Sequence, residues 1–241
     1  MRQVKSLVSI VTAALAVTVL VSGVNARQQD LDRVVPGGGI TGAGWQGNVI
    51  DAGSIKQGRS ITDSKFVADA STITINAGPS GIYWNTAHTA TGDFTVKATF
   101  AESNHLKHSG HPHPYGVFVG GRDLDTPKAS LLYCSAYGNG TAIFRGFSPA
   151  ATNGVFRLGG NRPIANDAIR KAGPDATVTQ EIALSVKGGT VECIVNGAVV
   201  AAHPVTDAVG DGKLASTDGL VGIRVGHNLD VVVTGFGISK E

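Results

Sequence analysis

From Phe94 onward the chain alternates apolar and polar residues with a period of two. Phe94-Thr-Val96-Lys-Ala98-Thr-Phe100 places its apolar side chains on one face and Lys97 on the other, the pattern of a half-buried strand. Strand signals follow at Tyr115–Val119, Leu131–Tyr137 and Thr141–Phe147, the last two joined by a Tyr137-Gly-Asn-Gly140 turn. Ile182–Val186, a Gly188-Gly189 turn and Val191–Val195 predict a hairpin, and Asn196-Gly197 turns the chain into Ala198–Ala202. Val221–Val225 and Val231–Phe236 close the series. No segment has a convincing amphipathic helical period. Ser148–Pro174, rich in Gly, Asn, Pro and Ala, shows no strand pairing and reads as a long excursion loop of the kind that carries function.

Many short strands, dense turn signals and 33 glycines favour an all-β sandwich or barrel over an α/β fold. Two sheets packed face to face would bury one side of each strand. Neither a repeat nor a second domain is visible. The expected layout is a leader over 1–26, a polar stretch over 27–36 and one all-β domain over 37–241.

The leader changes the picture of charge and location. Arg2 and Lys5, the apolar run Leu7–Val21 and the small residues Val24-Asn25-Ala26 make a secretory signal peptide cleaved after Ala26. The protein is thus expected to be secreted or periplasmic, with no membrane insertion. The chain carries 20 basic and 18 acidic residues; losing Arg2 and Lys5 leaves 18 against 18. That balance gives no general attraction to nucleic acid. Export permits a disulfide between the only two cysteines, Cys134 and Cys193. Cys193 is in phase with Val191 and Val195, however, so two buried free thiols fit the pattern equally well.

The order of segments brings a resemblance. "GDFTVKATF" (92–100), "HPHPYGVFVGG", "LLYCSAYGNGTAIFRGF", "VECIVNGAVV" and "GLVGIRVGHNLDVVVTGFGIS" together resemble the concanavalin A-like lectin/glucanase superfamily. Within it, the chain is most similar to bacterial laminin-G-like and 3-keto-disaccharide-hydrolase-like domains. The resemblance covers Trp45–Ile238 and implies a jelly roll, but the superfamily includes lectins, hydrolases and adhesion modules, so it fixes no function. Its β-glucanases use a Glu-x-Asp-x-x-Glu strand. The four glutamates here, Glu102, Glu181, Glu192 and Glu241, form no such pattern, and the two-carboxylate route is excluded in that form.

Three groups of residues carry candidate chemistry. His105, His108, His111 and His113 are four of only seven histidines. His111 and His113 share a face of an extended segment stiffened by Pro112 and Pro114. With His105 or His108 folded over them they would suit zinc or another transition metal, or one would serve as a general base. A polar loop with no ligand is the alternative. Asp123 and Asp125, in a glycine-rich turn, offer oxygens to calcium, which members of the resembled superfamily bind; ordinary turn capping explains them as well. Finally, Trp84, Tyr115, Tyr133, Tyr137, Arg145, Arg224, His227 and Asn228 offer rings and planar polar groups to a sugar. Tyr133 alternates against Leu132 and Cys134, and Arg224 against Ile223 and Val225, so both leave the core face. Filling of core ends by the aromatics is the competing reading.

The leading expectation is an exported domain binding a carbohydrate or other extracellular ligand through Tyr133, Arg145, Arg224 and His227, with His111 and His113 from the loop. A glycoside-cleaving enzyme using His111 or His113, assisted by Asp123 or Asp125, is the second. A structural module of the cell envelope is the third.

Overall fold

The computed structural model describes residues 31–240, so the leader expected over 1–26 lies outside the described residues. Sixteen strands form two eight-stranded sheets. Sheet A has the order β1 (Gly39–Thr41), β3 (Lys65–Ala68), β4 (Thr72–Asn76), β16 (Asp230–Lys240), β6 (Phe94–Ser103), β12 (Val178–Lys187), β13 (Thr190–Val195) and β14 (Ala198–Pro204). Sheet B has the order β10 (Val155–Arg157), β9 (Thr141–Phe147), β8 (Ser130–Tyr137), β7 (Pro114–Arg122), β15 (Gly219–Val225), β5 (Gly81–Ala90) and β2 (Trp45–Asn48), with β11 (Ile164–Ala165) also paired to β9. All pairs are antiparallel except β1 with β3. One short helix, α1 (Ala52–Lys56), is capped by the Asp51 carboxylate, which accepts from the Gly53 and Ser54 amides.

The alternation in β6 behaves as its pattern predicts. Phe94, Val96, Ala98 and Phe100 are fully buried between the sheets, while Lys97 faces out within 3.4 Å of Glu181. From sheet B, Tyr115, Val117, Leu132, Cys134, Phe144, Ile223 and Val225 complete that core. Phe100 stacks on Tyr115 across the layers, at 5.6 Å between ring centroids. Cys134 of β8 and Cys193 of β13 form a disulfide, stapling sheet B to sheet A through the middle of the sandwich.

Two expectations need correction. Ser148–Pro174 is not strand-free: β10 and β11 lie within it, each pairing antiparallel with β9. Both are too short to show a period, and their partner, not their own sequence, makes them strands. The second concerns the far face of sheet B. Ile82, Trp84, Phe118, Leu131, Tyr133 and Ile143 form a second apolar cluster there, so this sheet is buried on both faces. That is why β5 and β7 read as near-continuous apolar runs.

Candidate functional site

The outer face of sheet B carries the candidate site. Strand register sets it up. Val225 pairs with Tyr115, and the next step outward is a hydrogen bond from the Gly226 amide to the Pro114 carbonyl. One step further, His227 faces His113, with ring centroids 3.7 Å apart. A side chain at position 226 would not fit: a Cβ there would lie 2.9 Å from His113 Cβ and 3.0 Å from the Pro114 ring. His111 adds its imidazole 4.4 Å from that of His113. One nitrogen from each of the three rings falls within 4.8 Å of the others.

Asp32 completes this corner. Its carboxylate is buried, and one oxygen lies 2.7 Å from His227 Nδ1. Residues 31–33 are strapped across the β15–β16 loop: the Arg33 amide donates to Asn228 Oδ1, the Asn228 side chain donates to the Leu31 carbonyl, and the Arg33 guanidinium donates to the Ala77 and Leu229 carbonyls. Residues 31–33, from the polar stretch ahead of β1, are thus built into the site.

Beside the imidazoles, Arg224 lies across the sheet. Gly116 is opposite it in β7, so no side chain blocks its path toward β8. Its guanidinium carbon stands 4.5 Å from the centroid of the Tyr133 ring and 5.6 Å from that of Phe147, which stack on each other. Arg224 is only 8 % exposed, and its Nη1 is buried without a hydrogen-bond partner among the described residues. Buried donors are almost always paired, so a lone one calls for an explanation, and a bound ligand is one. Arg145 faces Tyr133 from β9 and donates to the Asn161 carbonyl. Burial raises the Tyr137 hydroxyl pKa, against the charges of Arg145 and Arg224, which lower it.

These groups line one cleft of about 360 Å³, walled by Asp51, Ser54 and Gln57 around α1 and by Ser80. Its size suits a small ligand. A larger cavity of about 500 Å³ opens nearby between Ile50, Ile55, Pro127 and Phe147; its lining is mostly apolar, with Arg59 and Asp125 as its charged members.

His111, His113, Tyr133, Arg145, Arg224 and His227 are therefore brought together. The remaining histidines of the loop are not. His105 Nδ1 contacts the buried Glu102 at 2.7 Å, and His108 Nε2 contacts Asp230 at 3.0 Å. Asp123 and Asp125 stand exposed on the β7–β8 turn, away from the imidazoles, with Asp125 at the rim of the apolar cavity. Trp84 is buried in the second apolar cluster, Tyr115 in the inter-sheet core, and Asn228 is spent on the 31–33 strap. Asp32, Asp51, Ser54 and Gln57 carried no period or motif, and sequence reasoning missed them.

Comparison with solved structures places this architecture. The chain superposes on the carbohydrate-binding module CBM66 from Bacillus subtilis with a TM-score of 0.52 and 8 % identity, covering 83 % of this chain and 97 % of that one. It also superposes on a protein of unknown function with a galectin-like fold from Bacillus subtilis, with a TM-score of 0.50 and 14 % identity over 81 % and 89 % of the two chains. The fold is a concanavalin A-like jelly roll. No protein-family model matches the chain, and no curated protein does. At these identities the likeness establishes architecture alone, so function rests on the cleft.

Proposed function

We propose that the protein is an exported carbohydrate-binding domain whose ligand occupies the cleft on the outer face of sheet B. The single observation that carries this reading is Arg224, a nearly buried guanidinium held on the Tyr133 ring in the wall of the cleft, whose Nη1 has no partner among the described residues. Sugars offer closely spaced hydroxyls, and acidic sugars a carboxylate, that match a planar fork of N–H donors. Arg145 supplies a second cation and the half-buried Tyr137 a ring, while Tyr133 is the platform under Arg224. The inter-sheet disulfide is compatible with an oxidising compartment. CBM66 is a carbohydrate-binding module of the same fold, and that likeness supports the reading without locating the ligand.

Glycoside cleavage finds less support. Glu192 pairs with Ser185 in the β12–β13 ladder while Glu181 lies four positions further along β12, separating the two by roughly 13 Å along the strand, and both point away from the cleft.

Thermal unfolding across a panel of neutral and acidic oligosaccharides tests the proposal. One sugar class should raise the midpoint, with no product formed, and Tyr133→Ala and Arg224→Met should abolish the rise. A rise that both variants retain would place the ligand elsewhere, and none with any sugar would overturn the reading.

A further inference from the structure

We propose that His111, His113 and His227 form a transition-metal site of the zinc type at one end of the cleft, with Asp32 as the carboxylate that orients His227. The site does not depend on the ligand being a carbohydrate. Three features of the fold carry it.

The first is convergence from distant parts of the chain. His111 and His113 come from the β6–β7 loop and His227 from the β15–β16 loop, and the β7–β15 register brings them face to face. Zinc held at about 2.0–2.1 Å by tetrahedral imidazoles needs nitrogens about 3.4 Å apart. Here they lie within 4.8 Å of one another. The remaining closure of about 1–1.5 Å is on the scale of side-chain rotation, and His111, the exposed member, has room for it.

The second is the supporting shell. A ligating histidine commonly gives its other ring nitrogen to a carboxylate, which fixes the ring and its tautomer. Asp32 Oδ1 is 2.7 Å from His227 Nδ1. Ser109 Oγ contacts His113 Nε2 at 2.9 Å, a second contact that holds a ring of the cluster in place. Asp32 is itself held by the strap of residues 31–33 and by its amide, which donates to Gln57 Oε1.

The third is the chemistry of the set. Imidazole is the ligand type that suits zinc, copper, nickel and iron, whereas calcium and magnesium require oxygen. Three protein ligands leave a tetrahedral ion one open position, and this one would face the cleft that holds Arg224. A metal there could take a ligand oxygen directly, beside the guanidinium.

The test uses purified protein stripped with a chelator, dialysed and titrated with Zn²⁺, with Co²⁺ as the coloured probe of coordination. One equivalent should bind, raising the unfolding midpoint, and Co²⁺ should give the intense visible absorption of a four-coordinate site. His111→Gln and His227→Gln should each abolish stoichiometric binding, whereas His108→Gln should leave it intact. Asp32→Asn should keep the site but weaken it about 10–100-fold, as loss of an orienting carboxylate does. His111 is exposed, so that variant folds and keeps the test decisive if His227→Gln does not. Absence of one-equivalent binding, or binding unchanged in His111→Gln, would overturn the proposal. Because Zn²⁺ and Co²⁺ are titrated without sugar, failure of the carbohydrate reading would leave this result standing.

Discussion

Arg224 gives the sharpest separation of function from stability. Its Nη1 is a buried donor without a partner among the described residues, a defect that costs about 1–3 kcal/mol. The guanidinium contact with the Tyr133 ring returns about 1 kcal/mol. Replacing Arg224 with methionine keeps an unbranched apolar stem in the same path over Gly116 while removing both the orphan donor and the charge. The ligand-free variant should therefore be as stable as the parent or up to about 2 kcal/mol more stable. In a domain of this size each kcal/mol moves the unfolding midpoint by about 2–4 °C, so the expected change lies between none and a rise of about 8 °C. Differential scanning calorimetry of both proteins without ligand measures it. A fall of more than about 5 °C would refute the reasoning, because it would mean that the guanidinium holds the fold together rather than waiting for a ligand.

Other outcomes follow from the same structure. Converting both Cys134 and Cys193 to alanine opens a cross-link spanning 59 residues and should cost about 4 kcal/mol, lowering the midpoint by about 10 °C or more in a calorimetric scan. Gly226→Ala must push His113 and Pro114 away from the 226–227 turn; it should cost about 1–3 kcal/mol and loosen the imidazole cluster, read as weaker Co²⁺ binding. Burial raises the Glu102 carboxyl above its usual range, against the hydrogen bond and charge of His105 and the hydrogen bond of Tyr115. The native state therefore holds that proton more tightly than the unfolded chain. Relative to Glu102→Gln, the parent should lose stability as pH rises from about 4.3 through the raised folded value; a constant difference in denaturant unfolding would contradict this. Asp230 should show the opposite sign. Burial raises it, but hydrogen bonds from Arg33 and Asn76, the Arg33 charge and His108 hold it below the usual range. Relative to Asp230→Asn, its contribution should be present above about 3.9 and fade as pH falls through the lowered folded value, in the same assay.

The sandwich was legible wherever one face of a strand meets the core and the other meets water, as in β6, β12 and β13. It was obscure where sheet B is covered on both faces. In β5, Ile82, Tyr83 and Trp84 are all buried, so no alternation betrays the strand. Periodicity also assigned Tyr133 and Arg224 to one side of the sheet, but it could not show that this side is roofed by α1 and mostly buried. The meeting of His113 with His227 depends on pairing between strands more than a hundred residues apart, which local pattern does not encode. Asp32 was missed for a related reason: a carboxylate in a short polar stretch looks solvated until the loop that buries it is in place. The disulfide likewise needed the stacking of two sheets to bring β8 over β13.

The most direct test of the account is the structure of the protein soaked with whichever sugar gives the largest thermal shift. The account predicts a sugar oxygen within hydrogen-bonding distance of Arg224 Nη1, with the sugar between Tyr133, Arg145 and the imidazoles of His113 and His227. A sugar bound on the outer face of sheet A or along a sandwich edge, with Nη1 still unpaired, would contradict it.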